Sequence, residues 1–201
     1  MNLTWLQRAL RRFSVKDLIL IAAMAALGIA VKTVVSPIIH TASAPLFIPG
    51  GALGGGIYMM WLVLAVGLTG KCGSATLAGL VQAILIILTG GSSSHGLLSL
   101  VSYTMPGLAI DVWLLISRHR LCCLPCAFVS CILANLCGTL AVNMIFFSLP
   151  TVPLLLSLAA AAFSGGIGGV LAWHLLSALR RFDIIPNQGS VVRGQGSEDG
   201  G

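Results

Sequence analysis

In so apolar a chain, the side chains able to do chemistry are few and separated: Lys32, His40, Tyr58, Trp61, Gln82, His95, Tyr103 and Asn135, with Asp111 apart from them. Their types suit holding a small molecule better than transforming one. Tyrosine and tryptophan rings stack on a planar ring, while the amides of Gln82, Asn135 and Asn143 can satisfy ring nitrogens or a hydroxyl. Each has a plainer use as well, since aromatics populate membrane interfaces and amides join helices.

Covalent chemistry is poorly provided for. Ser92, Ser93, Ser94 and His95 place hydroxyls beside an imidazole, but they sit in a glycine-flanked turn with no acid partner and no G-x-S-x-G elbow. Those hydroxyls suit helix caps. The stretch "GLTGKCGS" (Gly67 to Ser74) has a Gly-Lys pair without the glycine spacing or following hydroxyl of a phosphate-binding loop, so no ATP hydrolysis is expected from this chain. Cys122, Cys123 and Cys126, near His119, have a C-x-x-C spacing that can hold zinc. They stand at the basic start of a span, where packing is expected rather than a disulfide or a metal site. No enzyme activity, cofactor or metal is read from the sequence.

The elements that must position these residues follow from composition. Of 201 residues, 57% are hydrophobic and 8% charged, and the mean hydropathy is +1.02; soluble proteins are roughly 25% charged. This is an all-α membrane protein. A span needs about 20 apolar residues, and charges and turn formers divide the chain into six such stretches: Asp17 to Ser36, Gly50 to Leu68, Ser74 to Thr89, Leu97 to Ser117, Cys123 to Leu149 and Val152 to Leu179. Pro37, Pro45 and Pro49, Gly70-Lys71, Gly90-Gly91-Ser92, Arg118-His119-Arg120, and Pro150 with Pro153 mark the breaks.

Charge sets the orientation. With both termini cytoplasmic, every lysine and arginine except Lys32 falls inside, from Arg8, Arg11, Arg12 and Lys16 through Lys71, Arg118 and Arg120 to Arg180, Arg181 and Arg193. The net charge of +6 then reports topology and anionic lipid, not nucleic acid. Ala42-Ser43-Ala44 after a basic start resembles a signal-cleavage site. The preceding run is of spanning length, however, contains Lys32, and is followed by five spans whose charge bias needs an inside N-terminus.

Residues 1–16 are expected to form an interfacial segment, with Trp5, Leu6, Leu10 and Phe13 alternating with arginines. Residues 17–182 form the transmembrane domain, and residues 183–201 a disordered tail rich in Gly, Ser and Gln.

Depth ranks the candidates. Lys32 lies fifteen residues beyond Asp17, or roughly 22 Å up a bilayer core roughly 30 Å thick. It either lines an outer pocket or snorkels to the headgroups. Asp111 lies roughly 10 Å above the opposite edge, too deep to pair with Lys32. It either accepts hydrogen bonds from a neighbouring helix or joins a release path.

In the first span, Ala22, Ala26 and Ala30 recur every fourth residue. With Gly28 and Ala23 they make a shallow face on which another helix can close, within the bundle or from a partner. Glycines cluster in "PGGALGGGIYMMW" and "FSGGIGGVLAW", where backbones can approach closely.

Three stretches carry a family resemblance: "GIYMMWLVLAVGLTGKCGSATLAGLVQAIL" (Gly56 to Leu85), "GLAIDVWLLISRHR" (Gly107 to Arg120) and "FSGGIGGVLAW" (Phe163 to Trp173). With six spans, inside termini and an alanine motif in the first helix, the chain resembles the S components of energy-coupling factor (ECF) transporters, the vitamin importers of prokaryotes. It is most similar to the hydroxymethylpyrimidine/thiamine group. The resemblance implies a plasma-membrane subunit that captures a vitamin near the outer face and topples to release it inside. Its partners would be a transmembrane coupling subunit, docked on Ala22, Ala26 and Ala30, and two cytoplasmic ATPases. Gln82 stands where that group has an acid, which bears on the substrate. The competing reading is a self-sufficient secondary carrier, whose sequence support is the faint echo between the two glycine clusters.

Overall fold

The computed structural model describes residues 13–43, 50–89, 98–117, 121, 123–147 and 150–181. The expected interfacial helix up to residue 12, the tail beyond Arg181, and His95, Pro45, Pro49, His119 and Cys122 lie outside them. The described residues form six helices: α1 (Val15–Ser43), α2 (Gly50–Thr69), α3 (Ser74–Leu88), α4 (Ser99–Ser117), α5 (Leu124–Val142) and α6 (Thr151–Arg181). All but α3 are long and apolar enough to cross a membrane. At 15 residues, α3 reaches about 22 Å, short of the roughly 30 Å hydrocarbon core.

Two expected breaks move. Pro37 does not end the first helix, which runs through it to Ser43. A proline removes one backbone donor, whereas ending the helix in an apolar medium would strand several groups. Side chains help on either side of it: Thr33 Oγ1 donates to the Ile29 carbonyl at 2.9 Å, and Thr41 Oγ1 to the Pro37 carbonyl at 2.9 Å. The fifth helix is not regular to Leu149; it loosens at Val142 into a π-helical turn over Asn143–Phe147.

α2 is the central element and packs against every other helix. Its crossing with α6 is made by the two glycine clusters. A Cβ at Gly168 would strike the Gly56 backbone, and one at Gly56 would strike the Ser164 carbonyl. Ser164 Oγ accepts from the Gly56 N–H at 3.0 Å and donates to the Leu53 carbonyl at 2.5 Å. In lipid, where apolar burial supplies little drive between helices, such close backbone contact and interhelical hydrogen bonding hold a bundle together.

One end of the bundle is basic and tied by polar contacts. Lys71 pairs with Asp17 at 2.5 Å, and Arg180 donates to the carbonyls of Gly67 (3.2 Å) and Leu121 (3.3 Å). The start of α3 belongs to the same end. There Gly73 adopts φ 94°, a left-handed conformation open to glycine at little steric penalty.

Candidate functional site

The inner face of α1 is written as Ile21, Ala25 and Gly28, all buried, and the same stripe continues one turn on to Lys32. A helix turn of 3.6 residues puts these positions on one side and Ala22, Ala26 and Ala30 on another. All three alanines are exposed on the outside of the bundle. Gly28, expected to share the alanine face, does not: two residues past Ala26 is about 200° around the helix, and it is buried against Gln82 and Trp61.

Lys32 therefore projects inward. Its ammonium donates to the Tyr103 hydroxyl of α4 and lies 4.4 Å from the Tyr103 ring centroid and 5.6 Å from that of Tyr58. A hydrogen bond to a charged group contributes about 1.5–3 kcal/mol, and an ammonium over an aromatic ring about 0.5–2 kcal/mol according to its desolvation. The snorkelling alternative does not describe this geometry, in which the amine turns toward α2 and α4.

Close helix contacts hold the cluster. A Cβ at Gly28 would collide with Gln82 Nε2 and stand 3.3 Å from Trp61 Cβ, so glycine there is what lets α2 and α3 present those side chains one turn below Lys32. A Cβ at Gly79 of α3 would strike the Tyr103 carbonyl, and one at Gly107 the Ala75 carbonyl. These approaches fix Tyr103 relative to Gln82. Trp61 Nε1 is buried without a hydrogen-bond partner among the described residues. Such an orphaned donor is uncommon in a settled interior.

Five of the sequence candidates thus come together on four helices: Lys32, Tyr58, Trp61, Gln82 and Tyr103. Of the remaining candidates, His95 lies outside the described residues, and His40, Asn135 and Asn143 do not join the cluster. His40 lies eight residues past Lys32, roughly 12 Å along the helix, with its ring against Gly50. Asn135 is buried between helices, where its Nδ2 donates to the carbonyls of Ala161 (2.8 Å) and Ala52 (3.3 Å) and its Oδ1 sits over Gly55. Asn143 is buried at the far end of α5.

Asp111 has a different task. Its Oδ1 accepts from the Gly73 N–H at 3.0 Å, and its Oδ2 from the Thr76 N–H at 2.8 Å and Thr76 Oγ1 at 2.6 Å. A carboxylate on α4 thereby caps the first turn of α3, satisfying N–H groups that a helix start leaves open. Cys123 and Cys126 place their sulfurs 3.0 Å apart at the start of α5. No group of three His, Cys, Asp or Glu residues able to hold a metal ion occurs among the described residues.

The family model for the permease component of an ABC-type cobalt transport system matches residues 16–137, which include every helix that contributes to the Lys32 cluster. The chain belongs to that family. As a member, it is a membrane component of a transport system. Its fold is that of a solved structure described as an S component of an ECF transporter, with a TM-score of 0.75 and 18% identity over 91% of this chain and 94% of that one. No curated protein matches the chain in sequence.

Proposed function

We propose that this permease-family member is the substrate-capture subunit of an ECF-type importer. Its cargo on this reading is a vitamin or vitamin precursor related to hydroxymethylpyrimidine or thiamine, as the three resembling stretches imply. The observation that carries the reading is the cluster of Lys32, Tyr58, Trp61, Gln82 and Tyr103: ring faces, a charged donor, an amide and an orphaned indole N–H gathered among α1 to α4. Such a collection suits a small planar ring with polar edges. It lies in the outer half of the membrane if the basic end is cytoplasmic.

The energy source belongs to partners. Ala22, Ala26 and Ala30 form an exposed small-residue face along α1, which supports docking of a transmembrane coupling subunit driven by two cytoplasmic ATPases. The setting is a prokaryotic plasma membrane.

The deciding experiment is mass spectrometry of small molecules released from the protein purified alone in mild detergent. A stoichiometric pyrimidine or other vitamin supports capture and names the cargo. An empty protein that also ignores a vitamin panel overturns the reading in favour of a self-sufficient carrier, and uptake that persists without the partner ATPases does the same.

A further inference from the structure

Among the described residues the Lys32 ammonium has no counter-charge, and both described carboxylates are engaged elsewhere. Only five acidic residues occur in the whole sequence. Asp17 is held by Lys71 and by the Ser14 N–H. Asp111 is engaged by Gly73 and Thr76. Both lie at the basic end of the bundle, and Asp183, Glu198 and Asp199 follow the basic end of α6 in sequence. Lys32, by contrast, is held by the Tyr103 hydroxyl and two ring faces, all of them neutral partners. Gln82, buried one turn below it, is neutral too.

A charge withdrawn from water without an opposite charge is unfavourable, and one is expected wherever a lysine is held in this way. We infer that the cargo supplies it: the site takes a small planar ring bearing an anionic group, with that group on Lys32 Nζ and the ring against Tyr103, Tyr58 and Trp61. The buried Trp61 N–H and the Gln82 amide then meet acceptors on the ring edge. The inference rests on the capture reading and narrows it: the cargo becomes an anionic relative of the proposed pyrimidines, and thiamine itself, whose thiazolium ring is cationic, is excluded from this site together with a divalent metal ion. A bare cation would meet the ammonium with no carboxylate between them.

The test is equilibrium titration of the full chain in an uncharged detergent, read by tryptophan fluorescence. The probes are cobalt(II) chloride and three pyrimidines of matched size carrying a hydroxymethyl, a carboxylate or an aminomethyl group. The carboxylate is expected to bind about tenfold more tightly than the neutral alcohol and about a hundredfold more tightly than the aminomethyl cation, as a charge-assisted hydrogen bond gained or a like charge met would give. Lys32→Met should abolish the preference for the carboxylate over the alcohol, and Lys32→Arg should keep most of it.

Tighter binding of the aminomethyl probe or of cobalt overturns the inference while leaving capture standing. Binding of none of the four overturns it as well, and joined to an empty purified protein it removes the capture reading too. The ranking in the unaltered protein decides the matter even if Lys32→Met does not fold. A net-anionic lipid headgroup is the competing counter-ion. In that case the carboxylate preference would vanish in nanodiscs of phosphatidylglycerol but persist in phosphatidylcholine, and that result would also overturn the inference.

Discussion

The Lys32 ammonium of α1 donates to the Tyr103 hydroxyl of α4 while lying 4.4 Å from the centre of the same ring. Two helices without extensive backbone contact are thereby joined through one side-chain pair, across the face that also presents Tyr58, Trp61 and Gln82. Tyr103→Phe keeps the ring and removes the acceptor. It should weaken ligand binding by about 0.5–1.5 kcal/mol, the net contribution of one hydrogen bond, because the freed ammonium must be re-solvated or re-aimed. Calorimetric titration of both proteins with the copurified ligand checks this, and unchanged affinity would separate the pair from binding.

Asp111 predicts the opposite pattern, an effect on stability without one on affinity. Asp111→Ala leaves the N–H groups of Gly73 and Thr76 without their acceptor in a buried place. That should destabilise the bundle by about 1–3 kcal/mol, with ligand stoichiometry and affinity retained by the folded fraction. Asp111→Asn keeps one acceptor oxygen and should recover part of the loss. Thermal unfolding in detergent, paired with a binding titration, reads both quantities. A selective loss of affinity would return Asp111 to a release path.

Much of the architecture was legible because its causes are local. Gly70 to Gly73 separates α2 from α3 in the sequence as in the fold, and the polar residues of an apolar chain are visible without coordinates. What could not be read was azimuth. Helix geometry sets Gly28 nearly opposite Ala26, but nothing local says which of the two faces Gln82, since that depends on which side of α1 the other helices cover. For the same reason Asn135 and Gln82 looked equivalent, yet one bridges two backbones and the other sits beside Lys32's turn. Pro37 misled because the rule that proline ends helices is calibrated in water, where freed carbonyls find partners.

The crossing of α2 and α6 predicts sharply unequal glycines in its two clusters. At Gly168 an added side chain would drive into the Gly56 backbone, whereas at Gly51 nothing lies within 4 Å. Gly168→Leu should prevent folding, seen as loss of the monodisperse detergent-solubilised peak. Gly51→Ala should be neutral or stabilise by up to about 1 kcal/mol, as expected where glycine is replaced inside a helix.

Cys72, in the turn before α3, offers a pH-dependent reporter of the same cap. Burial pushes its thiol up from the ordinary range, and the neighbouring Asp111 carboxylate adds to the shift. A raised pKa means less thiolate at a given pH, so alkylation of a variant retaining only Cys72 should be slow at pH 7.5 and accelerate as pH rises. Asp111→Asn removes the negative neighbour and should speed labelling at pH 7.5. Equal rates with Asp and Asn would show that the carboxylate's field does not reach the sulfur.

The outward face of α1 gives the prediction that bears on coupling. Ala22, Ala26 and Ala30 are exposed and flanked by Ile19, 62% exposed, and Val34, 69% exposed. A larger side chain at Ala26 therefore disturbs little inside the bundle, where Ile21 and Ala25 make the contacts. A partner helix seated there needs small residues to bring backbones together. Ala26→Leu should leave folding and ligand affinity within about 0.5 kcal/mol, the usual range for a surface change away from packed features, while abolishing copurification with the coupling subunit and uptake in cells. Ala25→Leu, one residue away and fully buried, should destabilise the protein itself by about 1–3 kcal/mol through overpacking. If Ala26→Leu loses affinity as Ala25→Leu loses stability, the alanine face serves internal packing after all; if only coupling is lost, the two faces of α1 divide capture from energy input.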